Sequence, residues 1–134
     1  MTFAALADTH AALWDLIDDP RLSPPAKAVI QDAAVHGQKI GISSITLIEI
    51  VYLVEKGRVP LSAYDDLKQA LADPAHVFEE VKVSVRIADS MRRVSSKEIP
   101  DMPDRIIAAT GLHLGVPVIS RDSKIRSANL RTIW

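Results

Sequence analysis

Five short β-rich runs, kept apart by segments of helical pattern, constrain this chain more than any other feature. They are F A A L A D T (residues 3–9), Q K I G I S S (38–44), V F E E V K V (77–83), V P V I S (116–120) and L R T I W (130–134). Strands that alternate with helices build βαβ units, whose parallel sheet has to be covered on both faces. The expectation is an α/β fold with a mostly parallel central sheet, the first strand being buried and ending near Asp8.

The helical segments carry their own punctuation. H A A L W D L I D D has apolar residues at helical spacing, and S P P A K A V I Q D A A V H G offers Ser23 as N-cap, Pro24 and Pro25 in the first turn and Gly37 beyond the end. I T L I E I V Y L V E K G follows Ser43 and Ser44, either of which can cap it, and stops at Gly57. L S A Y D D L K Q A L A D P ends at Pro74. S V R I A D S M R R V S S predicts a helix with Arg86, Arg92 and Arg93 on its polar side. P D R I I A A T G L H L G predicts a helix up to Gly115, and S K I R S a single turn. With 134 residues and short connections, the chain reads as one domain over 1–134, large enough to bury about two thirds of its unfolded surface.

Composition removes several kinds of chemistry. The chain has no Cys, which excludes disulfides, thiolate metal sites and a Cys nucleophile and suits a reducing cytoplasm. The N-terminal F A A L A is only five residues long, has no basic segment before it and is closed by Asp8, so neither a signal peptide nor a membrane span is expected. The net charge of −1 hides an asymmetry: residues 1–80 hold six Lys/Arg against twelve Asp/Glu, and residues 81–134 hold ten against five. Such a chain can set a basic surface beside an acidic pocket, as a metal-dependent enzyme acting on a polyanion needs. Charges of both signs scattered over a solvated surface would give the same count.

Ligands of open parallel sheets bind beyond the carboxyl ends of the strands. Asp8 ends the first strand, Glu49 lies in the opening turns of the helix after G I S S, and Asp122 follows V P V I S. Asp104 opens the helix that leads back into V P V I S, so it starts at the same rim. Four carboxylates together raise one another's pKa unless cations hold them ionised, and Mg²⁺ or Mn²⁺ is the natural counter-ion for oxygen ligands. A metal-acidified water can attack a phosphodiester, and a second metal about 4 Å away can stabilise the leaving oxygen. Taken singly, most of these acids have a local explanation. Asp101 and Asp104 resemble an acidic helix cap, stabilising by about 0.3–1 kcal/mol, and Asp8 and Asp122 can each cap a following helix. Glu49 interrupts the apolar I T L I E I V Y L V and needs a partner, because an unpaired buried carboxylate is costly.

Together, A D T H A A L W, S S I T L I E I, P D M P D R I I A A T and G V P V I S R D S K I resemble the PIN-domain nucleases, in particular the VapC-type toxins of bacterial toxin–antitoxin pairs. The resemblance spans nearly the whole chain. It implies a three-layer α/β/α sandwich and a Mg²⁺- or Mn²⁺-dependent endoribonuclease site formed by Asp8, Glu49, Asp104 and Asp122. Thr9 and Ser120 match supporting hydroxyl positions, and Arg105 fits the pattern after the third acid. Asp101 is read as a cap or outer-shell residue. The resemblance further implies an RNA substrate, an antitoxin partner and a homodimer.

Arg86, Arg92, Arg93, Lys97, Arg121, Lys124 and Arg126 are candidates for phosphate contacts, with Arg105, Arg121, Lys124 and Arg126 nearest the acidic motifs. Two Phe, two Tyr and two Trp are too few for a base-stacking platform. Trp14, in helical register with Leu13 and Ile17, reads as core, and His10, His36, His76 and His113 share no ligand spacing. A receiver domain would need an acidic pair after the first strand, and a haloacid-dehalogenase-type phosphatase a second Asp where His10 stands. The remaining alternative is a PIN-like module that binds protein without catalysis, its acids serving as caps.

Overall fold

The computed structural model describes residues 2–134, among which lie five strands and seven helices. In chain order these are β1 (Phe3–Ala7), α1 (Thr9–Leu16), α2 (Pro24–Val35), β2 (Lys39–Ser43), α3 (Ser44–Glu55), α4 (Ala63–Ala72), β3 (Phe78–Val81), α5 (Val85–Met91), α6 (Met102–Leu114), β4 (Val118–Ile119), α7 (Ser123–Ser127) and β5 (Thr132–Ile133). The expected alternation of strand and helix is therefore the observed one. All strands join a single sheet in the order β3-β2-β1-β4-β5, and every neighbouring pair is parallel.

That order contains a reversal. The chain steps outward from β1 to β2 and β3, and α5 and α6 then carry it back across the sheet to β4, on the far side of β1. Parallel crossovers are right-handed, so reversing the direction of travel moves the helices to the opposite face. Side-chain alternation along the strands shows the result. Ala5, Ala7, Ile40, Ile42 and Ile119 face a core built with α1 to α4, including Leu13, Trp14, Ile30, Ile50 and Leu67. Leu6 and Val118 face a second core with Ile87, Ile99, Ile107 and Ile125. One sheet between two helical layers is the α/β sandwich that the sequence predicts.

Local chemistry ends the elements where expected, with two differences. Ser23 Oγ accepts the Ala26 N–H at 3.2 Å and Ser43 Oγ accepts the Ile45 N–H at 3.2 Å, while Gly115 closes α6 at a φ of 68°, a left-handed conformation favouring glycine. Helix α5, however, stops at Met91, leaving Arg92 as its C-cap and Arg93 in the following turn. The Arg105 guanidinium fastens that turn, donating from Nη2 to the Met91 carbonyl and from Nε to the Val94 carbonyl, both at 2.9 Å. Strand β4 is only Val118–Ile119, because Pro117 has no N–H to extend the ladder. No helix of the described residues is long and apolar enough to cross a membrane.

Helix α6 seats on β4 through Gly111. A Cβ built there would stand 2.6 Å from Val118 Cγ2, well inside contact distance. Alanine is better than glycine in a helix interior by about 1 kcal/mol, yet overpacking a filled core costs about 1–3 kcal/mol. Gly111→Ala is therefore expected to lower the urea midpoint, and adding Val118→Ala should recover part of the loss. A stabilised single variant would show that α6 does not depend on this close approach.

Candidate active site

The reversal of strand order opens a crevice at the carboxyl ends of β1 and β4, the place where ligands of such sheets bind. Backbone bonds bring its two sides together. The Asp8 N–H donates to the Ile119 carbonyl at 3.0 Å, and the residues just past each strand, Asp8 and Ser120, thereby become neighbours. Ser120 is fully buried, and its Oγ accepts the Asp122 N–H at 3.0 Å, fixing the turn that presents the next acid.

Each carboxylate is held by its own element. Asp8 is 7% exposed and caps α1, accepting the Ala11 N–H at 2.9 Å. Asp122 caps α7, accepting from Lys124 N at 2.9 Å and Ile125 N at 3.0 Å. Asp101 caps α6 by accepting the Asp104 N–H at 3.1 Å. Asp104, half-buried in the first turn of that helix, caps nothing. Glu49, half-buried on α3, has the partner that its apolar surroundings demand: Thr9 Oγ1 donates to Oε1 at 2.5 Å, and Thr46 Oγ1 lies 3.1 Å from Thr9 Oγ1. The capping explanation thus holds for Asp8, Asp101 and Asp122 and fails for Asp104 and Glu49.

Electrostatics records how these acids share a field. Burial pushes the Asp104 carboxyl up to about 7, and Asp101, Asp122, Glu49 and Asp8 add to the rise in that order. Glu49 is raised by burial and, less strongly, by Asp101 and Asp8, against the Thr9 hydrogen bond. Asp8 is raised by burial, against the Ser120 hydroxyl, the Ala11 N–H and His10. The ion pairs among the described residues are Arg21 with Asp19 and Lys27 with Asp18, and none of them involves a rim acid. Among the described residues no three carboxylates or imidazoles close a metal cage. The donors present are nevertheless all oxygen, carboxylates backed by the hydroxyls of Thr9 and Ser120. They fit a hard cation that keeps several waters and needs few protein ligands.

The predicted cations divide. Arg121 is exposed at the rim and lies beside Asp8 and Asp122 in a hollow of about 270 Å³. Lys124 and Arg126 are exposed on α7. Arg105 is half-buried and directed to the carbonyls of Met91 and Val94, so its guanidinium clamps α6 to the turn after α5. Sequence reasoning missed two residues. Thr46 was legible in principle, since it precedes Glu49 by three positions and so shares its helix face. Arg21, in the turn after α1, carries no sequence signal but lines the same hollow as Arg121.

The raised Asp104 pKa has a stability consequence in the metal-free protein. Its folded value, about 7, exceeds the ordinary 3.8, so the native state holds the proton more tightly and loses stability as pH rises through that window. In EDTA, Asp104→Asn should melt above the wild type at pH 8, with the advantage fading toward pH 4. A difference in melting temperature that ignores pH would remove the shared field from the description.

Comparison with known proteins agrees with this architecture. The family model for the PIN domain matches residues 5–129. Ribonuclease VapC22 of Mycobacterium tuberculosis is 26% identical over 122 residues, covering 91% of this chain and 89% of that protein. Two solved structures share the fold. One is VapBC2 from Rickettsia felis bound to a DNA fragment from their promoter, with a TM-score of 0.70, 16% identity and coverage of 98% and 97% of the two chains. The other is FitAcB from Neisseria gonorrhoeae, at 0.58, 19%, 96% and 95%. With the family model covering nearly the full length and the two-sided sandwich in place, the chain belongs to the PIN domain family.

Proposed function

We propose that the chain is a Mg²⁺- or Mn²⁺-dependent endoribonuclease and the toxin of a toxin–antitoxin pair, acting as a single domain in the cytoplasm. One arrangement carries the reading: carboxylates from four separate segments, Asp8, Glu49, Asp104 and Asp122, are gathered near one rim, where the other three help raise the Asp104 carboxyl, and among the described residues no Lys or Arg forms an ion pair with them. Capping accounts for two of the four at most. The likeness to a protein named a ribonuclease, and to a solved toxin–antitoxin complex, supports the substrate class and the partner.

Asp8, Glu49, Asp104 and Asp122 would hold the cation. When bound, a divalent ion supplies Lewis acidity, stabilising charge on phosphodiester oxygens and acidifying water. The chain's own residues do the positioning. Thr9 locks the Glu49 rotamer through a bond at 2.5 Å, and Thr46 fixes the Thr9 hydroxyl in turn. Ser120 sets the backbone angle of Asp122, and Asp101 anchors the start of α6 so that Asp104 stays at the rim. Burial and the neighbouring acids push the Asp104 carboxyl up to about 7, and holding a cation would favour its ionised form, so metal binding would be coupled to proton release.

The exposed apolar residues Ile48, Val51, Tyr52 and Met102 line a groove of about 580 Å³ between α3 and α6 that reaches Glu49 and Asp101. Apolar surface of this kind serves protein contacts, and we assign it to the antitoxin, with a second copy of the chain as its competitor. The other functional reading, a binding module without catalysis, draws on the capping roles of Asp8 and Asp122 and on the lack of a closed cage.

RNA cleavage by the purified chain separates the two. With Mn²⁺ the wild type should cleave and with EDTA it should not. Asp8→Asn and Asp104→Asn should lose more activity than the roughly 10–100-fold typical of removing a ligand's hydrogen-bonding partner, which is the loss expected for Thr9→Val. Asp101→Ala should instead lower stability by about 0.5–2 kcal/mol, the usual cost of a lost cap. Cleavage that survives both Asn substitutions would sink the metal site, and a wild type that cleaves nothing with Mn²⁺ would leave the binding-module reading standing.

Metal binding also has a readout that needs no substrate. Binding to the native state alone stabilises by about 2.7 kcal/mol at a hundred times Kd, so millimolar Mn²⁺ should raise the wild-type melting temperature by several degrees and that of Asp8→Asn far less. Equal shifts in both proteins would argue against Asp8 as a ligand.

A further inference from the structure

Three arginines from distant parts of the chain meet along one side of the acidic rim, and a tryptophan lies under two of them. The Arg121 guanidinium carbon is 4.6 Å from the Trp14 ring centroid and that of Arg21 is 4.8 Å away, both within cation–π range. Arg21 is itself fixed by Asp19, which receives Nε at 3.0 Å and Nη2 at 2.7 Å. Two of its five N–H donors are used there, and three remain. The His10 ring, exposed, packs on the same indole at 5.5 Å, and Trp134 supports it from another side at 5.8 Å.

Two hollows meet at this cluster. The first, of about 270 Å³, is lined by Asp8, Asp122, His10, Trp14, Arg21 and Arg121. The second, of about 200 Å³, shares His10, Trp14 and Arg21 with it and continues to Arg58 and Pro60. A groove therefore leaves the carboxylates, passes over Trp14 and reaches Arg58, with an arginine at its start, middle and end. Trp14 is only 4% exposed, so the floor offers guanidinium groups and not a stacking ring. That composition suits a chain of phosphates read without regard to base.

We propose that this groove is the track for single-stranded RNA leaving the rim, its phosphates contacted by Arg121, Arg21 and Arg58. The proposal rests on the nuclease reading for the identity of the polyanion. It moves the substrate path to the α1 side of the site, away from Arg86, Arg92 and Arg93 around α5. Arg21 and Arg58 become substrate-positioning residues although they come from the acidic part of the chain.

Both tryptophans of the chain lie in this cluster, so tryptophan emission, excited selectively over the two tyrosines, reports on the groove. The probe is a fluorescein-labelled ten-nucleotide single-stranded RNA, titrated in EDTA between 50 and 200 mM salt. Each neutralised phosphate of a single strand contributes about 0.7 to the slope of log affinity against log salt. Arg121→Gln, Arg21→Gln and Arg58→Gln should each reduce the slope by about that amount, the corresponding Lys variants should keep most of it, and Lys68→Gln should change nothing. Unlabelled RNA should shift the tryptophan emission. With Mn²⁺, the Gln variants should raise KM and leave kcat close to wild type, as loss of uniform binding does.

Binding that leaves tryptophan emission unchanged overturns the track. So does a salt slope that falls in Arg86→Gln and Arg93→Gln but not in the groove variants. Lys variants as impaired as the Gln ones would mark a structural role and overturn it too. A chain that cleaves no RNA but shows the expected slopes and emission shift would support the track while sinking the nuclease reading.

Discussion

Two backbone hydrogen bonds, from Leu6 N–H to the Pro117 carbonyl at 2.9 Å and from Asp8 N–H to the Ile119 carbonyl at 3.0 Å, zip the first strand to the fourth. Everything at the candidate site follows from that pairing. It places β1 in the middle of the sheet with one crossover set on each side, and it opens the crevice at the end of β1 where the strand order reverses. It also makes Asp8 and Ser120 neighbours, though more than a hundred residues of chain separate them. The pairing is short, two residues on each strand, so it relies on the packing above and below it. Gly111 lets α6 approach Val118 on one face, while Ile119 joins the α1–α4 core on the other.

The rim acids show how one residue can serve fold and site together. A carboxylate at a helix N-terminus is stabilised by the backbone N–H groups there, and Asp8, Asp101 and Asp122 all take that position. The caps anchor the acids, and the helices aim them at one rim. Asp104 and Glu49 lack that local support, and their carboxyls are raised by burial and by the other acids. A cation held there would favour the ionised forms that burial disfavours, which would link proton release to metal binding.

Charge along the chain misleads about charge in space. The C-terminal part is basic, yet Arg105 is committed to carbonyls in the turn after α5. The N-terminal part is acidic, yet Arg21 and Arg58 line the groove that begins at Arg121. Net charge per segment constrains solubility and partners in general terms. Where a phosphate chain can lie depends on which few guanidinium groups share a groove.

The sequence by itself determined the alternation of strand and helix, because hydrophobic period, Ser caps, Pro and Gly act within a few residues of where they stand. It also placed Asp8, Glu49, Asp104 and Asp122 at strand ends or in the opening turns of helices, and Asp101 as the cap. The partner of Glu49, the clamp made by Arg105 and the stacking of Arg21 and Arg121 on Trp14 were decided only by the tertiary structure. Thr9 and Glu49 are forty residues apart, and Arg21 and Arg121 are a hundred. No local pattern encodes such meetings, because they depend on how two helical layers close over opposite faces of one twisted sheet.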